Sequence, residues 1–257
     1  MAFYISAAKT YTEKPDLSMF KTHAHSNYEI FCFLEGDARY YVEGNIYDLY
    51  PGDILIINKA EAHSLLINNC IPYSRITMNF SPESIFGNKD EIMRILNAKP
   101  LGHFNRIHGT NEERQKWIYY LESIVTGDQN SQQIYLTVLI NELCQKLEKR
   151  QQQPAPRTTN RIITHINQNL SSIQSLDELC DRFFISKTHL NRQFKTLTGS
   201  TVWEYITAKR LLMAQELLNA GTPPIEACEM VGYTEYSTFY RAYKQRFGIS
   251  PKNDYKK

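Results

Sequence analysis

No stretch of the chain stays apolar long enough to span a bilayer, which takes roughly 20 such residues in a row. The opening Met1-Ala-Phe-Tyr-Ile-Ser-Ala-Ala-Lys-Thr10 lacks the basic start and long apolar core of a secretion signal, so no leader is expected. Cysteine is sparse and unpaired in pattern. The five (Cys32, Cys70, Cys144, Cys180 and Cys228) are odd in number, dispersed and free of Cys-x-x-Cys. That argues against a disulfide framework and a zinc finger, and fits a reducing cytoplasm. Charge of one sign is also scarce: 29 Lys+Arg stand against 27 Asp+Glu, a net +2. The balance is uneven along the chain. From residue 158 onward 13 Lys+Arg face 9 Asp+Glu, or +4, and the rest carries 16 against 18, or −2. Length (257 residues), 42% hydrophobic and 22% charged content suit a soluble globular chain of two domains.

Against that background one stretch stands out, Ser175 to Gly199. Ser175 with Glu178 three residues on is a capping box that starts a helix, with Leu176, Leu179 and Cys180 on its apolar face. It ends near Phe183-Phe184-Ile185. Ser186 then caps a second helix whose inner face is Leu190 and Phe194 and which Gly199 stops. Its outer face carries Lys187, Thr188, Asn191, Arg192 and Lys195. Two short helices at a tight joint, the second polar and basic outside, make a helix-turn-helix suited to a DNA major groove. The mildly basic C-terminal third is compatible with phosphate contact. The pattern recurs from Ile225 to Gly248. Leu179 aligns with Cys228, Leu190 with Phe239, Arg192 with Arg241, Phe194 with Tyr243, Lys195 with Lys244 and Gly199 with Gly248, each 49 apart. Two such units in register are a far stronger signal than one. Between them Thr201 and Glu204 cap a helix to Asn219, with Ile206, Arg210, Ala214, Leu217 and Leu218 at helical spacing. About 18 residues make a rod of roughly 27 Å, able to hold two recognition helices near one DNA turn apart. Arg210, in the apolar stripe, reads as a buried structural arginine paired to a carboxylate or to backbone carbonyls.

The first 80 residues read as short strands: Tyr28–Leu34, Ala38–Val42, Gly52–Asn58 and Tyr73–Phe80, rich in aromatic and β-branched residues and divided by Gly and Pro-Gly turns. A small sandwich or barrel is expected. Lys89–Ala98 reads as a short helix, His103–His108 as a return strand. From Asn111 the period becomes 3.6. Trp117, Tyr120, Leu121 and Ile124 line one helix, and a second runs over 131–150 with the stripe Leu136, Leu139, Ile140, Leu143 and Leu147. That stripe, close to a heptad seam, either packs on its own domain or makes a dimer contact. Gln151–Thr159, with two prolines and no apolar period, reads as a linker, giving domains 1–150 and 160–257.

From residue 160 to 255 the chain resembles the AraC/XylS family of transcriptional regulators. The resemblance rests on Ser175-Leu…Glu178-Leu, Leu190…Arg192…Phe194-Lys195…Thr198-Gly199, Glu204-Tyr-Ile…Arg210-Leu, Ala214…Leu217-Leu218, Val231-Gly-Tyr, Ser237…Phe239…Arg241…Tyr243-Lys244 and Gly248-Ile-Ser-Pro251. Departures are Tyr233 and Tyr243 where phenylalanine is commoner, and Pro224 where the first unit has Ser175. The N-terminal part is similar to the cupin barrel such regulators carry as a sensor, through His23-Ala-His25…Glu29…Gly36 and Gly44…Pro51-Gly52-Asp53…Asn58…His63, with Leu17 where a glycine usually leads. The resemblance implies an α+β chain of two domains, a cupin-like barrel with two following helices and an all-α domain of seven helices holding two helix-turn-helix units.

It further implies an effector-responsive, dimeric, cytoplasmic, DNA-binding activator or repressor that is not an enzyme and holds no cofactor. Its partners are double-stranded DNA, a small molecule with carbohydrate the commonest class, and RNA polymerase. The expected DNA-binding residues are Ser186, Lys187, Thr188, Asn191, Arg192, Lys195, Tyr236, Ser237, Tyr240, Arg241 and Lys244. Arg192 and Asn191 are the base readers, since Arg pairs with guanine and Asn with adenine. The first unit is expected to read more bases than the second. The expected effector-binding residues are His23, His25, Glu29, Phe31, Tyr40 and His63. Three imidazoles and a carboxylate also make a metal-ligand set, so a metal-dependent cupin enzyme with a DNA-binding tail is the alternative; no metal is the expectation.

Overall fold

The computed structural model describes residues 3–15, 22–151, 161–198 and 200–255. The predicted linker, Gly199 and residues 256–257 lie outside these, apart from Gln151. Contacts divide the chain into two units, one of residues 1–20 and 27–157, the other of 158–257 together with the short segment 21–26. The predicted fold class holds: a sheet domain followed by an all-α domain.

The first unit has eight described strands, β1 (Ile5–Thr12), β2 (Tyr28–Glu35), β3 (Ala38–Val42), β4 (Asn45–Asp48), β5 (Ile54–Ile57), β6 (His63–Ile67), β7 (Tyr73–Phe80) and β8 (Arg106–Ile107). They form a five-stranded sheet in the order β1-β7-β2-β5-β8 and a three-stranded sheet in the order β4-β3-β6. All pairings are antiparallel. Side chains alternate faces along a strand, and here both faces of β2 and β5 in the larger sheet are covered. Phe31, Phe33, Leu55 and Tyr73 meet Tyr40, Val42 and Leu65 of the smaller sheet in a shared apolar interior. The alternate residues Ile30, Cys32, Ile54, Ile56, Ile76, Met78 and Phe80 face three helices instead, α1 (Lys89–Asn97), α2 (Asn111–Thr126) and α3 (Gln129–Gln151). That double covering is why Tyr28–Phe33 is buried at every position.

Of its two readings the α3 stripe takes the first, packing on its own domain, and not the dimer contact. Leu136, Leu139, Ile140, Leu143 and Leu147 are fully buried in the core their own unit shares with the sheet, α1 and α2. Burying each contributes about 1.5–3 kcal/mol, and none is left to meet a second copy. The outer face of α3 exposes Ile134 and Val138. A buried ion pair closes the α1–β8 connection. Glu61 accepts from Lys99 Nζ at 2.6 Å, Gly102 N at 2.9 Å and Asn105 Nδ2 at 2.8 Å.

The second unit has seven described helices: α4 (Arg161–Gln168), α5 (Leu176–Phe183), α6 (Lys187–Thr198), α7 (Val202–Asn219), α8 (Pro224–Met230), α9 (Tyr236–Phe247) and α10 (Pro251–Tyr255). Ser175 caps α5, its side chain accepting from the Glu178 amide. Thr201 and Glu204 form the reciprocal cap of α7. The repeat register needs one correction. The second helices, α6 and α9, are 49 residues apart, but α5 and α8 are 48 apart. Ile185 N donates to Cys180 O just as Tyr233 N donates to Cys228 O. Leu179 therefore matches Ala227, Cys180 matches Cys228, and the α8–α9 turn is one residue longer. The cap equivalent to Ser175 is Pro223, which offers no side-chain acceptor.

Candidate nucleic-acid interface and effector site

Each helix-turn-helix presents its second helix from a buried base. Leu190, Phe194 and Thr198 anchor α6, and Phe239 and Tyr243 anchor α9. Opposite them α6 exposes Thr188, Arg192 and Lys195, and α9 exposes Ser237, Arg241 and Lys244. The two arrays are the same residue types at the same steps, 49 apart. Ser186 caps α6, its Oγ accepting from His189 N at 3.2 Å; Glu235 makes no such bond at the start of α9. Lys187 lies beside Asp177 at 2.8 Å, which raises its pKa. Asn191 sits at the edge of the face, half-buried, with Oδ1 3.4 Å from the amide of Val202. Tyr236 and Tyr240 flank α9 and touch one another, and Tyr236 also packs on Phe239. His189 and Thr238 were missed by the sequence reading. Counting by 100° per residue places both on the outer faces, and Arg192 Nη2 lies 3.4 Å from His189 Nδ1.

Arg210 of α7 joins the two helix-turn-helix motifs. Nearly fully buried, it donates from Nε to Leu170 O at 2.9 Å and from Nη2 to Ile173 O at 2.5 Å, both ahead of α5. Its Nη1 donates to Gly232 O at 3.1 Å, in the α8–α9 turn. Backbone carbonyls, one of the two partners expected for it, receive the guanidinium. Burial holds its pKa below the usual arginine value.

In the first unit Glu29, Phe31, Tyr40 and His63 come together inside the double sheet, all buried. Tyr40 donates to Glu29 Oε1 at 3.3 Å, and His63 Nε2 lies 3.6 Å from Glu29 Oε2. Phe31 packs on Tyr40, and Tyr40 stacks on His63. His63 Nδ1 meets the carbonyl of Glu61 at 2.8 Å, so Nδ1 carries a proton and Nε2 faces the carboxylate. Burial pushes the His63 pKa down, but the Glu29 carboxylate outweighs it and the net shift is upward. Burial and Glu29 both push Tyr40 upward. His23 and His25 lie on the segment 21–26 that groups with the second unit, their rings 6.1 Å apart. Of the proposed metal-ligand set, the first unit thus supplies Glu29 and His63. The inward residues of β7 add to this group. Tyr73 faces the interior, so by alternation Arg75, Thr77 and Asn79 do too. The polar–apolar alternation of Tyr73–Phe80 carried that signal.

Among the described residues no helix is long and apolar enough to cross a membrane. Residues 10–158 match the model of the AraC-like ligand binding domain, and residues 179–257 match that of a helix-turn-helix domain. The multiple antibiotic resistance protein MarA of Escherichia coli is 33% identical over 95 residues, 37% of this chain and 75% of MarA. The HTH-type transcriptional activator RhaS of Escherichia fergusonii is 22% identical over 244 residues, 91% of this chain and 86% of RhaS. Among solved structures, ToxT of Vibrio cholerae aligns over 98% of this chain and 97% of its own at 13% identity, with a TM-score of 0.44. With a ligand-binding domain matched over more than half its length and a helix-turn-helix domain behind it, the chain belongs to the AraC/XylS family of DNA-binding transcriptional regulators.

Proposed function

We propose that this protein is an effector-responsive activator that acts in the cytoplasm as a homodimer, takes a carbohydrate in its double-sheet unit and engages RNA polymerase from its promoter site. The observation that carries the sequence-specific part is the pair of matched outer faces, Thr188-Arg192-Lys195 on α6 and Ser237-Arg241-Lys244 on α9. Arginine in mid-helix suits bidentate pairing with guanine, and a lysine one turn on suits phosphate. The α7 rod between them, about 27 Å by its rise, is close to the spacing of successive major grooves on one face of the duplex. The buried polar group of Glu29, Tyr40 and His63 within an aromatic interior supports the effector reading, because such sites combine apolar walls with a few fixed polar atoms. Effector control is a shift between two populations and requires unequal ligand affinity in the two.

The test is footprinting of the full chain on its own promoter region, with and without sugars that raise its melting temperature. Protection of two successive major grooves per protomer, altered by such a sugar, is the expected result. Protection of one groove means that a single unit engages, and a footprint indifferent to every stabilising sugar overturns the effector part.

A further inference from the structure

The two sheets of the first unit are unequal, and among the described residues part of one inner face lies outside the shared apolar interior. Three strands (β4, β3, β6) lie against a sheet of five. The shared apolar interior draws its larger-sheet residues from β2, β5 and the first residue of β7, and none from β1. Beyond it the inner faces of β7 and β1 carry Arg75, Thr77 and Asn79 beside Thr10, Ala8 and Ser6, paired in register as Arg75–Thr10, Thr77–Ala8 and Asn79–Ser6. On the other side Arg75 is level with Phe33, Thr77 with Phe31 and Asn79 with Glu29. The three β7 residues are half-buried, and Ser6 and Ala8 are exposed. The result is a shelf of small and hydrogen-bonding side chains beside the aromatic interior.

We propose that this shelf seats the effector and that Arg75 takes an anionic group on it, so that the effector is a small polyhydroxylated anion, either a sugar acid or a sugar phosphate. This rests on the reading that the double-sheet unit binds a small-molecule effector. Three features carry it. The Arg75 guanidinium is held in place: it lies over the Tyr73 ring at 5.6 Å and Nη1 donates to the Tyr73 hydroxyl at 3.3 Å. A planar donor fork fixed beforehand loses little freedom when it takes a carboxylate or phosphate, which is where arginine surpasses lysine. Second, Thr77, Asn79 and Thr10 offer the mixed donors and acceptors that hydroxyl groups need. Third, the inward carboxylate, Glu29, lies level with Asn79 rather than with Arg75 and is engaged by Tyr40 and His63. Along the strand the guanidinium and the hydroxyl-binding groups thus follow one another, an order that a ligand with an anionic end and hydroxyls matches.

The experiment uses the full-length chain. Melting shifts and calorimetric titrations are run with hexuronates, aldonates and hexose phosphates beside their neutral parent hexoses, on the natural protein and on Arg75→Gln and Arg75→Lys. At least one acidic probe is expected to bind about tenfold or more tightly than its neutral parent. Arg75→Gln removes that difference and Arg75→Lys keeps part of it, as the loss of a charged hydrogen bond predicts. Uronates against phosphates then identify which anion is meant. Circular dichroism of both variants separates lost binding from lost folding, and should Arg75→Gln unfold, Arg75→Lys decides. Equal binding of acids and neutral parents, undiminished acid binding by Arg75→Gln, or no binding by any acid overturns the proposal. In each case a neutral or apolar compound that still shifts the melt leaves the effector reading standing, whereas silence across every class sinks both.

Discussion

At the scale of single residues the two units solve one problem with different side chains. The joint between α5 and α6 turns at Phe184, with φ 55° and ψ 45°; the joint between α8 and α9 turns at Gly232, with φ 86°. The left-handed region costs a non-glycine residue about 1–2 kcal/mol. Gly232 has no choice, since a Cβ there would lie 2.1 Å from Ser171 O. Phe184 has room but no packing, at 94% exposure. Phe184→Gly is therefore expected to raise unfolding stability by about 0.5–1 kcal/mol, the strain relieved less the added freedom of the unfolded chain. Gly232→Ala is expected to lower it by more. A urea midpoint that falls for Phe184→Gly means the exposed ring has a partner worth more than the strain. Arg210 is the opposite kind of residue, with every donated bond spent inside the fold. Lysine lacks the fork to reach Leu170, Ile173 and Gly232 at once, so Arg210→Lys should cost at least about 2 kcal/mol. Thermal melts indistinguishable from the natural protein would sink that account.

Elements show what a sequence pattern can and cannot say. The stripe Leu136–Leu147 was legible as an apolar helix face, but a stripe does not name what covers it. The cover proved to be the sheet and the neighbouring helices, not a second copy. Strands β1, β4 and β6 were not legible, because an edge strand such as Ile5–Thr12 is half-exposed and carries Lys9 in mid-strand, which blurs the alternation. The 49-residue repeat was legible in α6 and α9, where buried and exposed positions are both strongly typed. It slipped by one in α8, because Cys228 and Ala227 are both small and either could fill the core. The Glu61–Lys99 pair lay beyond reach, its partners being 38 residues apart. Burial pushes Glu61 upward, yet Lys99 and the amide donors outweigh this and hold it below the usual carboxylate value. A depressed carboxyl contributes stability that is present above its unfolded pKa, about 4.3, and lost as pH falls through the folded value. His63, raised by Glu29, has the reverse sign: its contribution is full below about 6.5 and is lost as pH rises through the folded value. Lys99→Met strands the buried carboxylate and should cost about 3–5 kcal/mol near neutral pH. The deficit should shrink toward pH about 4, where protonation relieves Glu61. Urea unfolding of both proteins across that range tests the sign; a deficit independent of pH means that packing, not charge, was lost.

For the molecule as a whole the proposed function has two similar helix-turn-helix motifs share one DNA site. Both carry the central arginine and the lysine one step beyond it, so each should hold a groove. Their flanks differ. Lys187 and Asn191 border the α6 face, whereas Tyr236 and Tyr240 border that of α9 and touch each other, Tyr236 also resting on Phe239. On that proposal polar flanks add base and phosphate contacts, and packed rings add surface that tolerates more sequences. Ser186 also caps α6, while α9 starts without a side-chain cap, so α6 is the better fixed of the two. Arg192→Ala and Arg241→Ala are each expected to weaken binding to the natural site by about 1–3 kcal/mol, with the larger loss and the larger relaxation of base preference at Arg192. Because α7 separates the two arginines by more than any shared contact spans, the double variant should show the sum of the single losses to within about 0.5 kcal/mol. Titrations must be run at one fixed salt concentration, since counterion release changes every affinity with ionic strength. Equal losses on random DNA would make Arg192 a phosphate contact instead of a base reader. A double variant no weaker than Arg192→Ala alone would mean that α9 stays off the duplex, and that the second unit serves the fold more than the reading.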